Sequence, residues 1–132
     1  MKRQQSEYSI HVAIADYLRM ALPEEAMFFH VPNGGTRNII EATKLKRMGT
    51  ARGLPDILIL WRSPYKTAQY TARTHIIAAE IKAKKGSLSK EQKEMHTLLT
   101  KLGCVCTVWR SVEECEEFLT MLMIPLKARV AA

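Results

Sequence analysis

Asp56, Glu80 and Lys82 are the residues of this 132-residue chain best suited to do chemistry. Asp56 opens the apolar stretch DILILW, Glu80 follows the apolar IIAA, and Lys82 comes two residues later. Side chains two apart on a strand share a face, with Cα atoms about 6.6 Å apart. Glu80 and Lys82 therefore point the same way. If the two stretches pair antiparallel, the start of one meets the end of the other, and Asp56 comes beside Glu80. Two carboxylates brought together repel unless positive charge lies between them. A divalent cation with a preference for oxygen, Mg²⁺ or Mn²⁺, meets that need with carboxylates, carbonyls and water. The carbonyl of Ile81 is a further candidate ligand, with its side chain turned to the core. Such an ion makes water more acidic and offsets charge on a phosphate oxygen. Lys82 can orient that water and offset charge developing on the phosphorane. Taken alone, Glu-x-Lys is also what a surface ion pair on an edge strand looks like. The Pro55-Asp56 strand before it favours the metal site, as does the lack of a competing His/Cys cluster or Ser/His/Asp arrangement.

The elements that must position these residues follow from periodicity and punctuation. Ser6 can cap a helix to about Leu22, with Ile10, Ile14, Leu18 and Ala21 as its apolar stripe and Pro23 at its end. Met27–Val31 has the look of a short strand, and Pro32-Asn33-Gly34-Gly35 is a turn. Asn38–Met48 reads as a second helix with Ile39, Ala42, Leu45 and Met48 at helical spacing, and Gly49 and Gly53 bracket a flexible basic loop holding Arg52. Asp56–Trp61 and His75–Ile81 read as buried strands, joined by a long polar, basic and aromatic loop with Tyr65, Lys66 and Tyr70. Ala83–Leu88 is a basic loop. Ser89 begins a third helix, where Gln92 can complete a capping box, Met95, Leu98, Leu99 and Leu102 supply the apolar face, and Gly103 ends it. Cys104–Trp109 is a third long strand. Ser111 and Glu114 offer another capping box for a fourth helix that Pro125 stops. The order predicts an α/β fold, with a mixed sheet flanked by helices. The middle strands form an antiparallel hairpin, and the last strand follows a parallel crossover.

Length and composition fit one domain over 1–132, with the tail 127–132 flexible. Apolar residues make up 47% and charged residues 25%, which argues against disorder elsewhere. Twenty Lys and Arg against thirteen Asp and Glu give a net charge of +7. That balance suits a polyanionic partner, since each phosphate contact releases a counterion, although a basic domain is also simply soluble. Cys104, Cys106 and Cys115 are an odd number of thiols with no second ligand pair at zinc spacing, and they read as small packing residues. There is no targeting segment at the N-terminus and no apolar run long enough for a bilayer. The expected setting is a reducing cytoplasm.

The segments GLPDILIL, AAEIKAKKGSLSKEQ and LGCVCTVW, with HVPNGGTR before them, resemble the VRR-NUC (virus-type replication-repair nuclease) family of the PD-(D/E)xK superfamily. The likeness runs roughly from Glu7 to Val112. The P-D…E-x-K signature is weak by itself; its specificity comes from the flanking motifs in the same order. The resemblance implies a restriction-endonuclease-like fold and divalent-metal phosphodiester hydrolysis. It makes Asp56 and Glu80 metal-binding carboxylates, Lys82 the catalytic lysine and Gln92 a supporting polar residue. Glu7 matches the acidic residue such folds add to the metal site, although a first-turn glutamate is also favoured by the helix dipole. Asn33, Gly34, Gly35 and Arg37 form a turn into a helix whose N–H groups could meet a DNA phosphate, or a plain tight turn. Arg52, Lys84, Lys85 and Lys90 flank the carboxylates and are candidate backbone contacts. Tyr65 and Tyr70 could stack on unpaired bases or cover the sheet.

The resulting expectation is a structure-selective DNA endonuclease resembling Holliday-junction resolvases, acting on branched DNA as a homodimer. Its interface is expected near the third and fourth helices or the MLMIPL stretch. A monomeric flap or end-processing nuclease and a non-catalytic DNA-binding module on a nuclease fold are the alternatives. A protein-interaction domain is disfavoured by the charge.

Overall fold

The computed structural model describes residues 5–32, 38–64 and 72–130. Asn33, Gly34, Gly35 and Arg37 of the turn, and Tyr65, Lys66 and Tyr70 of the long loop, lie outside those residues.

The chain runs α1 (Glu7–Ala21), β1 (Ala26–His30), α2 (Ile39–Arg47), β2 (Ile57–Arg62), β3 (Thr74–Ile81), α3 (Lys90–Lys101), β4 (Val105–Trp109) and α4 (Val112–Met121). This is the order the sequence predicts. Side-chain caps set the helix starts: Ser6, Asn38, Ser89 and Ser111 each accept from a backbone N–H three residues on. At α4 the second half of the capping box is displaced, because Glu114 accepts from the N–H of Arg110 rather than from Ser111.

The sheet order is β1-β2-β3-β4. β1 and β2 are antiparallel, β2 and β3 are antiparallel, and β3 and β4 are parallel. On one face Ile57, Ile59 and Trp61 of β2 join Ile77, Ala79 and Ile81 of β3 and Trp109 of β4. The stripe of α1 (Ile10, Ile14, Leu18 and Ala21) and Cys115 and Leu119 of α4 complete that core. β2 alternates buried and half-buried residues, whereas β3 is buried continuously from Ile77 to Ile81. The second face of β3 is covered as well: Ala78 and Glu80 are buried, and Glu80 meets Gln92 of α3.

The apolar stripes of α2 and α3 are covered less than those of α1 and α4. Ile39, Ile40 and Met48 are exposed, and no residue of α2 is buried. On α3, Met95 and Leu99 are half-buried while Leu98 and Leu102 are exposed. Cys104 and Cys106 are half-buried and Cys115 fully buried, all as free thiols. Among the described residues no helix is long and apolar enough to cross a membrane.

As far as Val130 the tail makes hydrogen bonds to the body of the domain. The N–H of Lys127 donates to the carbonyl of Ala21 at 2.8 Å, and the N–H of Val130 donates to the Glu116 carboxylate. The Tyr17 hydroxyl donates to the carbonyl of Ala128 at 3.0 Å and approaches Glu116 at 3.3 Å. A buried tyrosine needs a partner for its hydroxyl, and the tail supplies it. We expect Tyr17→Phe to cost about 1 kcal/mol in urea unfolding and to speed amide exchange at 127–130; unchanged exchange there would show that the tail is held without it.

Candidate active site

The pairing of β2 with β3 places the central carboxylates. Ile57 lies opposite Ala79, so one step further sets Asp56 opposite Glu80. Asp56 Oδ2 accepts the Ile81 N–H at 2.8 Å, which fixes that side chain across the end of the strand pair. Ile81 keeps its side chain in the core. Glu80 is only 3% exposed. Its Oε1 accepts from Gln92 Nε2 at 3.1 Å and lies 4.0 Å from Lys82 Nζ. Its Oε2 is buried without a hydrogen-bond partner among the described residues. Burial first, and then the Asp56 carboxyl, push the Glu80 pKa up to about 9, with Lys82 pulling the other way and Glu7 adding to the rise.

Gln92 holds both positions that its sequence context suggests. Its Oε1 accepts from the N–H of Ser89 at 2.9 Å, and its N–H donates to Ser89 Oγ at 3.1 Å, completing the capping box. Its Nε2 is then free to donate to Glu80. The primary amide carries an acceptor and a donor, and only this orientation satisfies both neighbours. The start of α3 is thus tied to the carboxylate it serves.

Gly53 supports the same junction. Its φ is +76°, and a Cβ there would collide with the Glu91 carbonyl and approach the Gln92 nitrogen to 2.9 Å. The loop that reads as flexible therefore packs its backbone directly against the first turn of α3 at this point.

An open cleft of about 830 Å³ gathers the site. Glu7, Asp56, Glu80, Ile81, Lys82, Gln92 and Arg52 all line it. Lys84, Lys85 and Lys90 are exposed and do not border it. Lys84 instead borders a second hollow with Gln5, Ile10, Arg110, Ser111 and Glu114. Arg110 donates to the Gly86 carbonyl at 2.8 Å and so anchors the loop that follows Lys82. Four carboxylates, of Glu7, Asp56, Glu80 and Glu91, face two cations, of Arg52 and Lys82. An acidic cleft in a chain of net charge +7 is a place for a cation.

His11 and His30 also line the cleft; His30 opens the HVPNGGTR motif, but the sequence alone assigns neither histidine a site role. Their rings meet edge to face at 4.7 Å. Burial, followed by the His30 charge, lowers the His11 pKa, and Asp56 opposes that shift. The available signals were that His11 is one helical turn after Glu7 and that His30 heads the HVPNGGTR motif.

The donor set fits a divalent ion. Asp56 and Glu80 are adjacent, and Glu80 offers a buried oxygen without a hydrogen-bond partner among the described residues. Glu7 and the Ile81 carbonyl are the further candidates that line the same wall.

Two outcomes are expected. Because the Glu80 pKa rises from an ordinary 4.5 to about 9, its contribution is fully present below pH 4.5 and is lost as pH rises toward 9. In EDTA, Glu80→Gln should flatten the fall in Tm across that range and be the more stable protein at its alkaline end; a wild-type slope would contradict this. Gly53→Ala should cost roughly 2 kcal/mol or more, from left-handed backbone strain of about 1–2 kcal/mol plus the collision. Gly49→Ala, where a Cβ meets nothing within 4 Å, bears only the strain. Equal losses in urea unfolding would remove the packing role.

No family profile and no curated protein matches the chain. Among solved structures, a protein described as "VRR_NUC domain protein" has TM-score 0.66 and 21% identity over 89% of this chain and 88% of its own. That likeness is one of fold and agrees with the resemblance read from the motifs. The chain has the α/β fold of a VRR_NUC domain protein, with its acidic cleft at the end of the β2–β3 pair.

Proposed function

We propose that this chain is a divalent-metal-dependent endonuclease that hydrolyses phosphodiester bonds in DNA. The observation that carries the reading is the Asp56–Glu80 pair, held side by side with Lys82 at 4.0 Å and one Glu80 oxygen unpartnered. Asp56, Glu80 and the Ile81 carbonyl would hold Mg²⁺ or Mn²⁺, with Glu7 as a fourth donor. Bound there, the ion supplies positive charge that acidifies water and offsets charge on the scissile phosphate.

The chain's own residues do the rest. Gln92 fixes Oε1 of Glu80, and Oε2 would be the oxygen available to an ion. The Lys82 ammonium orients the attacking water and stabilises the added negative charge as the P–O bond breaks. Arg52, which lines the cleft, would meet the flanking phosphate. Lys84 and Lys85, exposed outside the cleft, would add contacts to the substrate backbone and so affinity without base specificity.

Branched DNA is the substrate we favour, cut by a homodimer in the manner of Holliday-junction resolvases, in the cytoplasm. Nothing in the chain reads as a base-specific element, so shape must select the target. Leu98 of α3, Leu102 at its C-terminal cap, Met121 at the end of α4 and Met123 just beyond it are exposed and offer the two-fold contact. A monomeric flap nuclease uses the same chemistry without that contact.

The test incubates the protein with four-way junction, flap, single-stranded and linear duplex DNA in Mg²⁺, Mn²⁺ or EDTA. Cleavage should require metal and fall by at least about a hundredfold in Glu80→Ala and in Lys82→Ala, the loss typical of removing one transition-state-stabilising group, while DNA binding persists. Paired symmetric nicks on junctions, from a species of dimeric mass, select the resolvase. Cleavage in EDTA would end the metal mechanism, and binding without cleavage would leave a DNA-binding module.

A further inference from the structure

We propose a second cation site in the cleft, built from His11, His30 and Asp56 and selective for a transition ion such as Zn²⁺ or Co²⁺. One ring nitrogen of each histidine and one carboxylate oxygen of Asp56 lie within 4.8 Å of one another. Among the described residues this is the set of three His, Cys, Asp or Glu donors gathered that closely, and Glu7 and Glu80 are not part of it. Donors from α1, β1 and the head of β2 converge on one point. That spread gives the set the rigidity a metal site needs, because no single loop carries it.

A backbone contact prepares His30. Its Nδ1 lies 2.7 Å from the Asp56 carbonyl oxygen. A carbonyl can only accept, so in the neutral imidazole it is Nδ1 that carries the proton and Nε2 that keeps the lone pair. This is the arrangement in which a metal-bound imidazole donates its other N–H to a backbone carbonyl, which fixes both tautomer and ring orientation. His11 stands edge-on to His30 at 4.7 Å, with interplanar angle 84°, so the two rings bring nitrogens together without stacking.

The ligand type sets the class of ion. Two imidazoles and one carboxylate suit Zn²⁺, Co²⁺, Fe²⁺ or Ni²⁺, whereas Mg²⁺ keeps to oxygen donors. Asp56 belongs to this set and also to the carboxylate pair. A transition ion on the histidines therefore draws on the same side chain that the oxygen-preferring ion needs, and the identity of the available metal bears on the state of the cleft. The site does not depend on the hydrolytic reading, since Asp56 is the one residue shared.

The test uses untagged full-length protein titrated with Co²⁺, followed by visible absorption and calorimetry. One equivalent should bind with the ligand-field bands of an imidazole-bearing site. His11→Ala and His30→Ala should each weaken it at least about tenfold, and Glu80→Gln should leave it within about threefold. Should either histidine variant unfold, Zn²⁺ titration of the wild type followed by ring ¹⁵N shifts gives the answer, with His11 and His30 moving together at one equivalent. Co²⁺ affinity unchanged in the histidine variants, loss in Glu80→Gln alone, absence of binding, or shifts confined to other histidines would each overturn the site. DNA cleavage without histidine-dependent Co²⁺ binding removes this proposal and spares the nuclease. Co²⁺ binding without cleavage does the reverse.

Discussion

Asp56 ends the β2–β3 pairing by accepting the Ile81 N–H through its side chain, and the site depends on the register which that bond secures. A shift of one residue would turn every side chain on β2 to the opposite face. Ile57, Ile59 and Trp61 would leave the core, and Asp56 would lose Glu80 as its neighbour. The core face and the acidic face are therefore specified together. Burial of the odd-numbered residues of β2 and β3 under α1 and α4 is what forces the even-numbered Asp56 and Glu80 into one place.

The energetic cost of that arrangement falls on Glu80. A carboxylate that is 3% exposed and beside another carboxyl favours its neutral form, and its pKa is pushed up accordingly. The fold offsets this only in part. Gln92 donates one hydrogen bond, Lys82 supplies a charge at 4.0 Å, and Oε2 has no hydrogen-bond partner among the described residues. Strain of this kind persists where the surrounding structure over-determines it, and here the capping box of α3 and the close packing of Gly53 do so. A cation at the carboxylates would resolve the imbalance, which is why the acidic cleft is coherent in a basic chain.

Much of this was legible before any coordinates. The element order, the antiparallel hairpin, the parallel crossover, and the meeting of Asp56 with Glu80 and Lys82 all follow from apolar runs and strand alternation. Gln92 was legible twice, as a cap and as a supporting group, and the amide's two ends reconcile those roles. Other features depend on tertiary contacts that a pattern cannot carry. Periodicity marks α2 as amphipathic but does not say what covers it, and Ile39, Ile40 and Met48 remain exposed. His11 and His30 are 19 positions apart and meet only because α1 lies along the cleft beside the end of β1. Gly53 reads as loop punctuation, and its close approach to α3 becomes visible only in three dimensions. The tail looked free because its polar groups have no local partner; Tyr17 and Glu116 supply distant ones.

The most direct test of the account is anomalous diffraction from crystals of the protein grown with Mn²⁺. The account places an anomalous peak between Asp56 and Glu80, about 2.0–2.3 Å from an oxygen of each, the range of oxygen-bound divalent ions of this size. A well-ordered crystal at saturating Mn²⁺ with no peak between those carboxylates, and with Glu80 Oε2 bonded instead to a protein donor, would contradict it.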